Sequence, residues 1–197
     1  MLIKYKHINE NFEYDGSQIN PFWAFKSFKI KGSSIVSWIG PMNIKNDNLK
    51  DFEDVGLEIT SDNMLHFILE FFDIQPANIE IAYLRQRLLV LIFEEHLYKK
   101  NVSFTRKGDD IYINDSKLSV SIASVSITSC KIHFALNLTS EGTPSDLKTI
   151  GLYEIEDSYG NYILNEDNIL DFTKNIVNSY IDELTSIKED ISKTDSL

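Results

Sequence analysis

The 197-residue sequence holds one cysteine, four prolines, eight glycines and four histidines, and each scarcity removes a class of protein. Cys130 alone cannot form an internal disulfide, and His7, His66, His96 and His133 never fall at metal-ligand spacing. A disulfide scaffold and a structural zinc site are both excluded, and a reducing compartment is expected. No run approaches the roughly 20 apolar residues that a membrane span needs. The opening residues Leu2 to His7 also lack the apolar stretch of a signal peptide, so the chain reads as cytoplasmic, with no membrane partner. The Asn-x-Ser/Thr triplets at Asn101, Asn114 and Asn137 then carry no glycan. Phosphate loop, dinucleotide and nucleophile-elbow signatures are all missing.

Positive charge is short as well. Nineteen Lys and Arg face thirty Asp and Glu, a formal net charge of −11. The densest basic clusters, Lys26 to Lys31 and Lys99 to Lys107, are short and interleaved with aromatic or polar residues. An acidic chain without a basic stripe repels phosphate backbones, which excludes a nucleic-acid partner.

What is present is a large apolar fraction, 43%, enough to fill the core of one domain spanning residues 1–197. Aromatic and β-branched clusters at Phe22 to Phe25 and Ile35 to Ile39, separated by Gly32-Ser33-Ser34, read as a hairpin. Asp62 begins a stretch to Phe72 with apolar side chains three and four apart, read as a short buried helix. Pro76 suits the first turn of a longer helix running to about Lys100. Strands are expected at 102–106, 109–113, 117–127 and 131–138 as an antiparallel meander, with a tight turn at Asn114-Asp115-Ser116, and a further strand at about 150–155. From Asn165 to about Lys193, Ile169, Phe172, Ile176, Tyr180, Leu184, Ile187 and Ile191 recur at steps of three and four. That is an amphipathic terminal helix, packed on the sheet or serving as a homodimer seam. The expected class is α+β, a mixed and mostly antiparallel sheet flanked by helices.

Alternation along strands places Lys117, Ser119, Ser121 and Ala123 on one face, and Lys131, His133, Ala135 and Asn137 on one face of the next strand. Small and polar residues there leave room for a ligand or for a closely packed segment of the chain itself. In the long helix, Arg85 and Arg87 have apolar neighbours three and four residues away, and a guanidinium in such a setting demands an anion. The choices are internal pairing with Asp15, Glu70, Asp73, Asp109 or Asp110, or a ligand anion. Asp109 and Asp110 crowd two carboxylates at a strand entrance, where one could hold a lysine or a metal; no metal site is assigned and no cofactor is named. Cys130 and His133, three apart on a strand, point to opposite faces and do not form a thiol and base pair.

The stretch from Ile79 to Leu138 resembles the catalytic core of the biotin and lipoate protein ligase superfamily. Biotin ligases read Trp-Pro-Asn-Asp-[Leu/Ile]-Tyr, a short turn, Lys-[Leu/Ile]-[Ala/Ser]-Gly and a later strand ending in Asn. Here stand Lys107-Gly108-Asp109-Asp110-Ile111-Tyr112, then Lys117-Leu118-Ser119-Val120, then Ala135-Leu136-Asn137. The octanoyltransferase pattern Cys-x-x-His before Ala-Leu-Asn is similar to Cys130-Lys131-Ile132-His133-Phe134-Ala135-Leu136-Asn137. The resemblance implies that Lys117 faces the acyl carbonyl or adenylate oxygens of a small carboxylic-acid-derived ligand. The sequence departs in three places: residues Glu53 to Asn63 carry no Gly- and Arg-rich adenylate segment, Val120 stands where the ligases have glycine, and Thr143-Pro144-Ser145 stands where octanoyltransferases have Asn-Pro and a nucleophilic cysteine.

Across nearly the whole chain, the sequence is identified as a member of an uncharacterised, mainly archaeal family, domain of unknown function 366. The matching motifs are Tyr14-Asp15-Gly16-Ser17-Gln18, Trp23-Ala24, Asp62 to Phe67, Leu84-Arg85-Gln86-Arg87-Leu88-Leu89 and Gly108-Asp109-Asp110 with Lys117 to Ala123. They imply a polar set of Asp15, Ser17, Gln18, His66, Arg85, Arg87, Asp109, Asp110 and Lys117. The functional expectation is an acyl or carboxylate transferase or ligase relative. Lys117, Asp110 and His133 would act catalytically, while Arg85, Arg87, Asp15, Ser17, Gln18, His66, Asp109, Ser119 and Ser121 would contact a small anionic ligand. The alternative is a non-catalytic small-molecule-binding or structural protein that kept the fold without the ATP segment.

Overall fold

The computed structural model describes residues 2–44, 46–52 and 55–195. In chain order the elements are β1 (Lys4–Ile8), α1 (Trp23–Phe28), β2 (Ser34–Asn43), β3 (Thr60–Phe71), α2 (Ile79–Tyr98), β4 (Thr105–Lys107), β5 (Asp110–Ile113), β6 (Ser116–Lys117), β7 (Ser119–Val125), β8 (Cys130–Asn137) and α3 (Ile169–Lys193). Five strands form one sheet in the order β1-β2-β3-β8-β7, and β4-β5-β6 form a second, smaller one. Only the β1–β2 pair is parallel among the named strands, so the sheet is mixed and mostly antiparallel, as expected from sequence.

β3 overturns the expected helix at 62–72. It is the middle strand, hydrogen-bonded to β2 and β8, and Met64 to Phe71 are buried without a break. A strand covered on both faces needs apolar residues at nearly every position, and any continuous apolar run also contains spacings of three and four. The hairpin expected at 22–25 and 35–39 is also corrected. Residues 23–28 form α1, bounded by Phe22 and Lys29 at φ 65° and 58°, and β2 pairs with β1 and β3 instead. α1 turns Ala24 into the core, with Trp23 and Phe28 beside it.

α2 begins two residues after the expected Pro76 start region, where Asn78 caps it by accepting a hydrogen bond from the Ile81 amide. The turn at Asn114-Asp115 has both residues at positive φ, 48° and 63°, which joins β5 to β6 as a two-residue hairpin. The expected meander splits at Leu118. Its amide bonds Ile111 of the small sheet while its carbonyl accepts from Asn137 of the large one, so a single extended stretch passes from one sheet to the other. Lys117 therefore sits at a junction. The strand expected near 150–155 is instead a 3₁₀ turn over Leu152–Glu154, because the Glu154 carboxylate folds back onto the Gly151 and Ser140 amides.

α2 and α3 cover one face of the sheet, burying Leu65, Phe67, Phe93, Phe134, Ile176 and Tyr180 between them. The other face carries a second core, Tyr14, Trp38, Met64, Ile68 and Ala135, closed by the segment that leads into α1. Residues 12–14 cross β2 at Gly40, where any Cβ would overlap the Phe12 carbonyl. That carbonyl also accepts from Trp38 Nε1 at 3.0 Å. Gly40→Ala is expected to cost about 1–3 kcal/mol in chemical denaturation, since the crossing segment must lift to admit the methyl; an unchanged midpoint would show that the crossing is loose.

Candidate functional site

Partners in an antiparallel pair share a face, and the β7–β8 register sets Val120 opposite Ala135 and Ile122 opposite His133. Ser119, Ser121 and Ala123 lie opposite Leu136, Phe134 and Ile132, on the face covered by α2. The shared small-and-polar face expected from sequence is corrected accordingly. Alternation holds within β7 and within β8 but breaks at the Leu118 junction, where Leu118 enters the α2-side core and Lys117 reaches the cleft with Val120 and Ile122; the two strands are also one residue out of step with the assumed pairing. Ser119 and Ser121 hydroxyls are spent inside that layer: Ser119 Oγ accepts from the Ile111 amide at 3.0 Å, and Ser121 Oγ accepts from Gln86 Nε2 at 2.8 Å.

The opposite face of β7 opens on a cavity of about 390 Å³, a size suited to a small organic ligand. Met42, Ile44, Leu57, Ile59, Val120 and Ile122 give it an apolar wall. Tyr14, Gly16, His133 and Asn137 also line it, with Asp109, Asp110 and Lys117 at the junction of the two sheets and Thr143, Pro144, Leu147 and Thr149 on the far rim. Ser119 and Ser121 border it as well, although their hydroxyls bond as described. Thus Lys117, Asp109, Asp110 and His133, all singled out in the sequence, reach one cleft. Val120, at the position where glycine would have opened the strand, forms part of its wall.

The charged groups there are paired. Lys117 Nζ stands 2.9 Å from Asp110 Oδ1, with 22% of the lysine side chain exposed. Asp110 also accepts a long hydrogen bond from Tyr112, whose hydroxyl is raised above its ordinary value by burial and by Asp110. Asp109 accepts from Gln86 Nε2 at 2.8 Å and forms an ion pair with Arg87 at 2.5 Å. Arg85 is drawn away from the cleft. It holds Asp73 through two hydrogen bonds of 2.8 Å and lies over the Phe71 ring, so the internal partner among the sequence alternatives is Asp73. Burial pushes the Asp73 carboxyl up, yet Arg85 more than offsets this and leaves it below its ordinary value.

Asp15, Ser17 and Gln18 shape the loop beneath the cleft. The Ser17 amide donates to Asp15 Oδ1, the Asp15 amide donates to Gln18 Oε1, and Gln18 Nε2 donates to the Glu13 carbonyl. This folding presents Tyr14, which stacks on His133 with ring centroids 3.7 Å apart. His133 in turn meets His66, Nε2 to Nδ1 at 3.1 Å, and His66 Nε2 meets the Gly40 carbonyl at 3.1 Å. Burial drives both imidazoles down, His66 to about 3 and His133 well below its ordinary value, so both are neutral. Burial also pushes the Tyr14 hydroxyl up. Cys130 is enclosed in the other core, its Sγ 3.5 Å from the Asn78 carbonyl, on the face opposite His133.

Sequence reasoning missed the wall residues Met42, Ile44, Leu57, Ile59 and Thr60 and the rim residues Thr143, Pro144, Leu147 and Thr149. These are irregular or strand-end segments without periodicity. Tyr14 stood inside a noted motif and gave a signal only through its neighbours. Glu53 and Asp54, at the start of the stretch compared with the ligases' adenylate segment, lie outside the described residues. Among the described residues no three His, Cys, Asp or Glu side chains gather as a metal site, and no helix is long and apolar enough to cross a membrane.

Comparison with known proteins agrees with this architecture. An uncharacterized protein of Methanocaldococcus jannaschii is 36% identical over 193 residues, covering 95% of this chain and 82% of its own. A solved protein of unknown function from Pyrococcus horikoshi superposes with a TM-score of 0.87 at 34% identity, covering all of both chains. Biotin protein ligase from Aquifex aeolicus, in complex with biotin and ATP, aligns at a TM-score of 0.57 and 16% identity over 90% of this chain and 70% of the ligase chain. A T. acidophilum protein with bound lipoic acid aligns at 0.53 and 12% identity over 93% of this chain and 85% of its own. At such identities the likeness to the last two is one of fold, the mixed α+β architecture of the biotin and lipoate ligase catalytic domain. With residues 3–195 matched, the chain belongs to the family described as Domain of unknown function (DUF366).

Proposed function

We propose that the cleft binds a small carboxylic acid or its activated acyl derivative, and that the chain is an acyl- or carboxylate-handling relative of the ligases. The observation that carries this is Lys117: a partly exposed ammonium at the end of a cleft that Met42, Ile44, Leu57, Ile59, Val120 and Ile122 line with apolar side chains. Such a site matches a ligand with one anionic or carbonyl end and an apolar chain. Asp110 takes one of the ammonium's three donors, which leaves others for a ligand oxygen. In a transfer reaction the same ammonium would stabilise charge developing on the acyl oxygen. Asp109 and Asp110 hold Arg87 and Lys117 in place, so their function is to orient cations.

The lining acids Asp51, Glu58, Asp109 and Asp110 outnumber Lys50 and Lys117. A single carboxylate fits that balance better than a bare triphosphate. Cys130 faces the opposite core, so an acyl group would pass directly between ligand and acceptor and not through an enzyme thioester. The test is thermal shift with octanoate, lipoate, biotin, ATP and an acyl thioester. At least one of the acyl ligands should raise the melting temperature, and Lys117→Ala should weaken that ligand roughly 10- to 100-fold while the unliganded melting temperature moves little. Silence with every acyl ligand, or full binding by Lys117→Ala, sinks the reading.

A further inference from the structure

Two histidines lie edge to edge under the cleft, and their hydrogen bonds define which atoms carry protons. The Gly40 carbonyl can only accept, so the His66 Nε2 that meets it carries hydrogen. His66 is wholly buried and neutral, so its Nδ1 is a lone pair. The His133 Nε2 facing that lone pair at 3.1 Å must then be the N–H. In a neutral His133 the remaining nitrogen, Nδ1, is unprotonated. Among the described residues no hydrogen bond to that atom is formed, although the side chain is 2% exposed and borders the cleft.

Stacking fixes both rings. Tyr14 covers His133 at an interplanar angle of 13°, and Trp38 covers His66 at 20° with centroids 4.8 Å apart. Neither ring has a carboxylate partner among the described residues. Glu70, on the same face of β3, is held by Lys131, Ser129 and the Phe22 amide. Burial of the pair among aromatic and apolar groups disfavours the cationic form and outweighs the backbone carbonyls that favour it at His66.

We propose that His66 acts as a positioning residue that locks His133 with its Nδ1 lone pair toward the cleft, so that the ligand's chain carries an O–H or N–H donor near its apolar end. The inference rests on the carboxylate reading of the cleft and adds the other end of the ligand. With Lys117 as donor at one end and His133 as acceptor along the wall, an unsubstituted fatty acid satisfies only the first. A chain with a hydroxyl, amide or ureide-type N–H satisfies both. A ligand that covers this acceptor without supplying a donor leaves it unpaired at a cost, and the site discriminates accordingly.

Two measurements on the full chain test this. Long-range ¹H–¹⁵N correlation spectra of the unliganded protein at neutral pH should show His66 and His133 both as the Nε2–H tautomer, and His66→Phe should release His133 into a mixture of tautomers. An Nδ1–H or cationic His133 in the unaltered protein overturns the proposal without any ligand. The second measurement compares ω-hydroxy acids of six, eight and ten carbons with the unsubstituted acids of equal length. At one length the hydroxyl should tighten binding roughly 3- to 10-fold, and His133→Phe should erase that difference between the two acids. Acids that bind with no hydroxyl gain at any length overturn this proposal alone. Binding by no acid overturns the carboxylate reading and this inference with it. If His133→Phe fails to fold, the tautomer and the discrimination in the unaltered protein still decide.

Discussion

Between pH 6.5 and pH 4.5 the chain is expected to lose stability with a slope that approaches one proton from His66 alone, about 1.4 kcal/mol per pH unit, and is steeper by the share that His133 adds in the same direction. The groups responsible are His66 and His133. Unfolded, each takes up a proton near pH 6.5. Folded, His66 does so only near 3 and His133 well below 6.5, because burial disfavours the charge and each ring faces the other. In this window the unfolded chain therefore binds more protons than the folded one, and stability rises with pH and falls as pH drops. His7 and His96, lowered by partial burial, act in the same direction. Asp73 contributes in a separate, lower window. Its depressed value means that the Arg85 pairing is fully present above the ordinary aspartate value of 3.8 and is lost as pH falls through the folded one. A loss of about 2 kcal/mol or more over the interval is a large fraction of the whole stability of an ordinary domain, roughly 5–15 kcal/mol. Urea unfolding at pH 7, 6 and 5 reads the slope directly. A flat profile across those three points would show that the two imidazoles are already protonated in the folded chain, or exchange with water freely.

How far the sequence disclosed this molecule depended on which physical rule governed each segment. α3 was legible because it buries one side at helical period and keeps the other wet, and α2 through Pro76 near its start and the run to Lys100. The Asn114-Asp115 turn was legible because few residues accept two successive positive φ values. β3 was not, since burial on both faces erases the period-two signal that identifies a strand. α1 was hidden for a related reason: three of its six residues, Trp23, Phe25 and Phe28, are aromatic and carry strand-like composition, while its packing beside Trp38 is a long-range contact. At the site, Lys117, Asp109 and Asp110 stood out because charge at a strand entrance is unusual. His133 stood out through its motif, whereas its relation to Tyr14 and His66 depends on strand pairing. Pairing register is a long-range property, and the one-residue offset between β7 and β8 alone moved Ser119 and Ser121 to the other layer.

The β3–β8 register makes a single deletion, Glu70→Ala, costly. Glu70 and Lys131 stand directly opposite on β3 and β8, each 1% exposed, with Lys131 Nζ 3.2 Å from Glu70 Oε2. Burial lowers the Lys131 ammonium below its ordinary value, and Glu70 counters part of that drop. The pair makes further bonds: Glu70 Oε1 accepts from the Phe22 amide at 2.9 Å and from Ser129 Oγ at 2.8 Å, while Lys131 Nζ donates to the Asn20 carbonyl at 3.0 Å. These bonds tie residues 20–22 to the sheet between the Tyr14 loop, which floors the cleft, and α1, which roofs the second core. Removing the carboxylate alone strands a buried ammonium and the Phe22 amide, and should cost about 3–5 kcal/mol. Replacing both partners, Glu70→Leu with Lys131→Met, should recover most of that loss, because an apolar pair of similar volume needs no counter-charge. If the pair serves mainly to hold the crossing segment, the double variant will approach the parent in unfolding free energy yet exchange the amides of residues 12–28 faster. A double variant as unstable as Glu70→Ala would show instead that the ion pair itself carries the stability, and equal exchange rates would remove it from any part in shaping the cleft.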